Sequence, residues 1–181
     1  IVNASCRMDA MIHDLLELAK SAEGGRTFSR PVALEQALAA ALDNLGSRVQ
    51  ATGASITHRA LPLVAGDAVQ LAQVFQNLIG NSLKYRKPGM VPEIHVSAER
   101  GETEWVIRVR DNGIGFEAEQ AEKIFRVFKR LHGAEYAGTG VGLAICKRII
   151  ERQGGRIWAT SAPGEGAVFA FSIPCQTADP E

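Results

Sequence analysis

Asn77-Leu78-Ile79-Gly80-Asn81-Ser82-Leu83-Lys84-Tyr85 is the stretch on which the reading of this chain turns. Asn77, Asn81 and Lys84 stand at i, i+4 and i+7, so on a helix they share one face. Leu78, Ile79 and Leu83 fall on the buried side. Two amides and an ammonium in one stripe suit a hydrated cation and phosphates, since an amide oxygen is a hard donor and Mg²⁺ keeps most of its waters. A merely solvated helix face is the competing reading. Two asparagines inside a helix weigh against it, because asparagine competes for the backbone and is a mediocre helix former.

Upstream, Asp67 is a good N-cap, and the helix it starts is expected to reach about residue 85. A preceding amphipathic helix over 32–50 runs through Leu34, Leu38, Leu42, Leu45 and Val49, and a short strand follows near 55–60. A first helix over about 4–20 carries Met8, Ile12, Leu15 and Ala19 on one face and is cut off by Gly24 and Gly25. Downstream, residues 93–99 and 104–110 alternate as strands, with Ile94, Val96 and Ala98 on one and Trp105, Ile107 and Val109 on the other. A short helix near 118–125, a polar loop over 129–140, and a helix over 141–153 ending at Gly154-Gly155 come next. Strands over 156–161 and 167–173 flank a Pro163-Gly164-Glu165-Gly166 turn. This order predicts an α/β two-layer sandwich: a mixed, mostly antiparallel sheet covered on one face by helices and preceded by one separate helix. Clean alternation leaves the other sheet face wet or lightly covered.

Composition narrows the function. Of 181 residues 46% are apolar, enough for a packed core, and 20 basic residues balance 20 acidic ones. Zero net charge gives no general pull toward nucleic acid or acidic lipid, so any anion site must be local. Few aromatics argue against a base-stacking platform. Cys6, Cys146 and Cys175 lack metal-ligand spacing and fit a reducing, cytoplasmic setting. No apolar run approaches the length of a membrane span. The chain opens inside a helical pattern without Met and is expected to be part of something longer.

Three further motifs are each ambiguous alone. Asp111-Asn112-Gly113-Ile114-Gly115-Phe116 follows a strand, and its glycines allow close backbone approach to a ligand. A buried carboxylate there would accept the exocyclic amine of adenine; a plain turn is the alternative. Gly138-Thr139-Gly140-Val141-Gly142-Leu143 opens a helix, where free N–H groups and the helix dipole make an anion cradle. It is neither a P-loop nor a dinucleotide fingerprint. In Phe125-Arg126-Val127-Phe128-Lys129-Arg130 the two phenylalanines suit a core, and Arg130 suits a phosphate or the surface equally well.

Their order and spacing together resemble the ATP-binding catalytic domain of sensor histidine kinases, over about residues 67–174. Residues 77–85 match the asparagine box, 111–116 the first glycine box, 125–130 the phenylalanine box and 138–143 the second glycine box. The run Phe128-Lys129-Arg130-Leu131-His132, with Glu135-Tyr136 and Gly138-Thr139-Gly140, is similar to phytochrome-like kinases in particular. Residues 7–20 resemble, more weakly, the second helix of the dimerisation domain. The expected domains are therefore 1–23, a dimerisation remnant; 27–175, the catalytic domain; and 176–181, a tail.

The resemblance implies ATP and Mg²⁺ as cofactors. Asp111 would bind the adenine amine, with Gly113, Ile114, Gly115, Tyr85 and Leu131 near the nucleoside. Asn81 would ligate Mg²⁺, supported by Asn77, and Gly138, Thr139, Gly140, Val141, Gly142 and Leu143 would cradle the triphosphate. Asn77, Lys84 and Arg130 would serve the transferring phosphoryl group, and residues 129–137 would form a lid. The ATPase branches of the wider superfamily carry a water-activating glutamate four residues before the Mg²⁺ asparagine. Asn77 stands there instead, and an amide is no base, so hydrolysis should be poor. The phosphoacceptor histidine on the first dimerisation helix is missing, and His13, although followed by Asp14, stands where the second helix should be. Implied partners are a response-regulator receiver domain and a second copy through the N-terminal helix; nucleic acid and direct membrane insertion are not implied. A degenerate nucleotide-sensing or docking module is the alternative function. A serine-kinase anti-sigma relative is disfavoured by the helix at 7–20.

Overall fold

A computed structural model describes residues 31–131, 136 and 139–175. The expected helix at 4–20 and the tail at 176–181 lie outside the described residues. The elements are β1 (Pro31–Ala33), α1 (Leu34–Thr52), β2 (Ser55–His58), β3 (Leu63–Ala65), α2 (Ala68–Lys84), β4 (Glu93–Arg100), β5 (Glu104–Asp111), α3 (Gly142–Arg152), β6 (Ile157–Ser161) and β7 (Ala167–Pro174). Five strands form one sheet in the order β2-β4-β5-β7-β6, with β2 parallel to β4 and the other pairs antiparallel.

Each helix forms because its apolar spacing offers the sheet a continuous stripe. On α1 that stripe is Leu34, Ala37, Leu38, Ala41 and Leu45, and on α2 it includes Leu71, Val74, Phe75, Leu78 and Ile79. Asp67 starts α2 by accepting the Gln70 N–H at 3.0 Å, the cap its position called for. Gly53, at φ 64°, closes α1 in the left-handed conformation a helix end favours. On the sheet, Val96 pairs with Val109 and Ala98 with Ile107, so the two alternating sets expected from sequence share the covered face. Phe75 of α2 meets Phe171 of β7 edge-on, centroids 5.8 Å apart. The opposite face carries His95, Ser97, Arg108 and Arg110, with Arg108 paired to Glu99 at 2.8 Å. His95 is half-buried there and bonds Thr57 across the strand pair at 2.9 Å.

Three expectations need correction. Residues 32 and 33 belong to a strand rather than to the helix, because Pro31–Ala33 pairs with Leu63–Ala65 in a separate two-stranded sheet. Three residues are too few to alternate, and Val32 mimics one more apolar helix position. The helix near 118–125 is two 3₁₀ turns, Ala118–Gln120 and Lys123–Phe125. Phe128 is not a core residue: it is 50% exposed at φ 62°, a left-handed backbone uncommon for a bulky side chain, whereas Phe125 is buried.

Candidate functional site

The site grows from the end of β5. Asp111 is a buried carboxylate, and burying one is costly unless its oxygens are satisfied. Ser82 donates to Oδ2 at 2.8 Å, while the N–H groups of Gly113 and Ala167 donate to Oδ1 at 2.9 and 3.2 Å. Three elements therefore hold the group: α2, the loop after β5, and the start of β7. Gly113 is required by proximity, since a Cβ would come within 2.5 Å of the Tyr85 carbonyl oxygen. Gly166 combines φ 82° with a Cβ position 2.0 Å from the Asp111 carbonyl oxygen, so any side chain would force Asp111 to move. Ser161 completes the frame, donating to the Gly166 carbonyl at 2.6 Å and accepting from the Phe116 N–H at 2.9 Å.

Asp111 opens on a cleft of about 560 Å³ whose walls are mostly apolar: Phe116, Ile124, Leu131, Leu143, Ala167 and Phe169. Its apolar walls and a single carboxylate acceptor suit a flat heteroaromatic ring bearing an amine. The cleft continues past Asn81 and Tyr85 into a polar recess of about 1060 Å³, lined among others by Asn77, Lys84, Lys129, Arg130, Thr139, Gly140 and Gly142. The N-terminus of α3 faces this recess. Its N-cap residue, Val141, supplies no side-chain cap, which leaves the first N–H groups available to an anion.

Several side chains at the polar end are anchored. Lys84 Nζ donates to the Tyr85 hydroxyl at 2.9 Å and lies 4.5 Å from that ring's centre, and Tyr85 packs on Tyr136 at 5.0 Å. Arg130 donates to the Tyr136 carbonyl at 2.5 Å. Asn77 bonds the Cys146 thiol, and its Oδ1 lies so close to Gly142 that a Cβ there would be only 3.0 Å away. It is thus a seam between α2 and α3. Burial pushes the Cys146 thiol up to about 12, against the smaller opposing effect of the Asn77 hydrogen bond.

The expected site residues largely converge. Asn81, Tyr85, Asp111, Gly115, Arg130, Leu131 and Leu143 line the apolar cleft, and Asn77, Lys84, Thr139, Gly140 and Gly142 line the recess. Gly113 and Ile114 stand outside that lining, where they thread the loop against α2: the Ile114 N–H bonds Tyr85 O at 2.9 Å. The Val141 side chain is fully buried, so only its backbone can serve a ligand. Gly138 and residues 132–135 lie outside the described residues, as does most of the expected lid. Of the described histidines, neither His58 nor His95 lines the cleft or the recess. Sequence reading missed Ser82 and Ser161. Ser82 could have been flagged as a hydroxyl in a helix interior beside Asn81; Ser161 left no such signal.

Among the described residues no group of three or more His, Cys, Asp or Glu could hold a metal; Mg²⁺, which accepts amide, phosphate and water oxygens, fits the amides that line the recess, Asn81 among them.

Residues 66–177 match the family described as histidine kinase-, DNA gyrase B-, and HSP90-like ATPases, and the chain belongs to that family. Within it, the proteins this chain resembles include phytochromes and the catalytic domains of histidine kinases. It is 49% identical to cyanobacterial phytochrome A of Nostoc sp. and 45% identical to the phytochrome-like protein Cph1 of Synechocystis sp.. Each alignment covers 92% of this chain and 22% of the relative, so the chain spans about a fifth of the length of these curated relatives. Among solved structures it resembles the catalytic domain of histidine kinase ThkA (TM-score 0.68, 26% identity, 80% of this chain and 96% of that one). It also resembles full-length ShkA in complex with AMPPNP (TM-score 0.76, 25% identity, 94% of this chain and 36% of that one).

Proposed function

We propose that this chain binds ATP with Mg²⁺ and transfers the γ-phosphoryl group to a histidine supplied by another part of a longer sensor protein. The observation that carries the proposal is the buried Asp111 carboxylate at one end of a cleft whose other end is the uncapped N-terminus of α3. Asp111 Oδ2 would accept from the adenine amine, with Ser82 and the Gly113 N–H holding the carboxylate in place. The N–H groups around Gly140 and Gly142 would take the phosphates, and Lys84 and Arg130 would offset their charge. Mg²⁺, held by Asn81, would neutralise developing charge on the phosphates. Transfer then depends on positioning and electrostatics, with little covalent chemistry for the protein. Asn77 has no basic oxygen to activate water and is engaged with Cys146, which favours transfer to a histidine over hydrolysis.

By the same reading the acceptor domain dimerises through the N-terminal helix, the phosphoryl group passes to a response-regulator receiver domain, and the chain works in the cytoplasm. No described helix is long and apolar enough to cross a membrane. The test is to mix the chain with labelled ATP and a separate histidine-bearing dimerisation domain. Phosphotransfer in trans with negligible hydrolysis is expected. Sustained ATP turnover by the chain alone would move it to the ATPase branch, and no binding at millimolar ATP would make it a docking module.

A further inference from the structure

We infer that Arg48 reads the terminal phosphate of the nucleotide, so that this chain binds a nucleoside triphosphate in preference to a diphosphate. The inference rests on the nucleotide reading above. Arg48 belongs to α1, outside all four sequence motifs, yet it lines the polar recess beside Gly80, Asn77 and Lys84. Its guanidinium crosses from α1 onto α2, where Nη2 donates to the Gly80 carbonyl at a long 3.4 Å. The guanidinium lies against α2 at Gly80, where a Cβ would stand 3.4 Å from Nη1, in ordinary van der Waals contact. One long bond occupies one of the five N–H groups of a guanidinium and leaves the others for a ligand.

Charge and position indicate what that ligand is. The ion pairs among the described residues lie elsewhere, between Arg108 and Glu99, Lys147 and Glu151, and Arg156 and Glu104. Among the described residues the recess lining contains four cations, Arg48, Lys84, Lys129 and Arg130, and no carboxylate. Lys84 is tied to Tyr85 and Arg130 to the Tyr136 backbone, whereas Arg48 enters from the α1 wall. Asp111 lines only the apolar cleft, Arg48 only the recess, and Asn81 lines both. A nucleotide with its base on Asp111 and its phosphates passing Asn81 therefore brings its last phosphate toward Arg48. A planar fork of donors matches a terminal phosphate, which exposes more oxygens and carries more charge than a bridging one.

Calorimetric titration of the intact chain with MgATP and with MgADP tests this, comparing wild type with R48A, R48Q and R48K. R48A and R48Q should each lose about tenfold in ATP affinity, the scale of a hydrogen-bonded charge, and stay within about twofold for ADP. R48K should recover part of the loss, since it restores the charge but not the fork. Equal losses for ATP and ADP, or an unchanged ATP-to-ADP ratio, would overturn the inference while leaving the nucleotide site standing. A wild-type chain that binds neither nucleotide overturns both. Thermal melting of each variant separates a lost contact from lost folding, and R48Q answers the question if R48A proves unstable.

Discussion

At the Asp111 end of the cleft, a carboxylate is buried within the packed body of the domain and held by hydrogen bonds from α2, the β5 loop and β7. At the Lys84–Arg130 end, the charged groups are exposed or half-buried and come from helix termini, a loop and the α1 wall. The difference follows from solvation. A carboxylate that must discriminate one amine gains from low dielectric, provided it is already hydrogen-bonded. The cations of the recess would be costly to bury and remain near water, where the proposed triphosphate would enter and leave. On the proposed reading, the Asp111 end would be the specific one and the recess the electrostatic, salt-sensitive one.

The sharpest way to break this contrast is Asp111→Asn. The substitution keeps Oδ1 for the Gly113 and Ala167 N–H groups but turns a donor toward the incoming amine. ATP, ADP and adenosine should all bind about 100-fold more weakly, the upper range for losing a buried charged hydrogen bond. Calorimetry showing loss for ATP alone would contradict the assignment of the base end. A smaller effect is expected for Lys84→Ala: about fivefold for ATP, less for ADP and none for adenosine, shrinking as salt rises from 50 to about 500 mM. A salt-independent loss would mean that Lys84 acts through its packing on Tyr85 instead.

The smallest effect concerns the seam under the phosphate end. The Cys146 thiol is raised to about 12 in the folded protein, above its ordinary value of 9.0. The unfolded chain therefore releases this proton first. Stability is fully present below about pH 9 and falls as pH climbs from there toward 12. Urea denaturation across that window should show the decline, and Cys146→Ala should flatten it. An unchanged slope in the variant would remove Cys146 from the account.

Much of the fold was legible because its signals are local. Asp67 as a cap, the α1 and α2 stripes, and the matched alternation of β4 and β5 each follow from spacing within a few residues. The strands Pro31–Ala33 and Leu63–Ala65 were not legible, since three-residue strands exist only through each other. The same holds at the site. Asp111, Asn81 and the glycines stood out by type and order. Ser82, Ser161 and Arg48 did not, because a serine or arginine gains a role only from the atom that folding brings beside it: Asp111 Oδ2, the Gly166 carbonyl and the Gly80 carbonyl.

The amino-acid sequence by itself determined the α/β sandwich, since periodicity acts along the chain, and the order of its motifs carried the family resemblance that implies which residues touch base, metal and phosphate. Tertiary structure alone decided three things: that Asp111 is held by α2 and β7, that Asn77 ties α2 to α3 through Cys146 and Gly142, and that Arg48 reaches the polar recess from α1. Each is a contact between residues at least 29 positions apart, whose energy depends on burial and angstrom-scale geometry that no local pattern encodes.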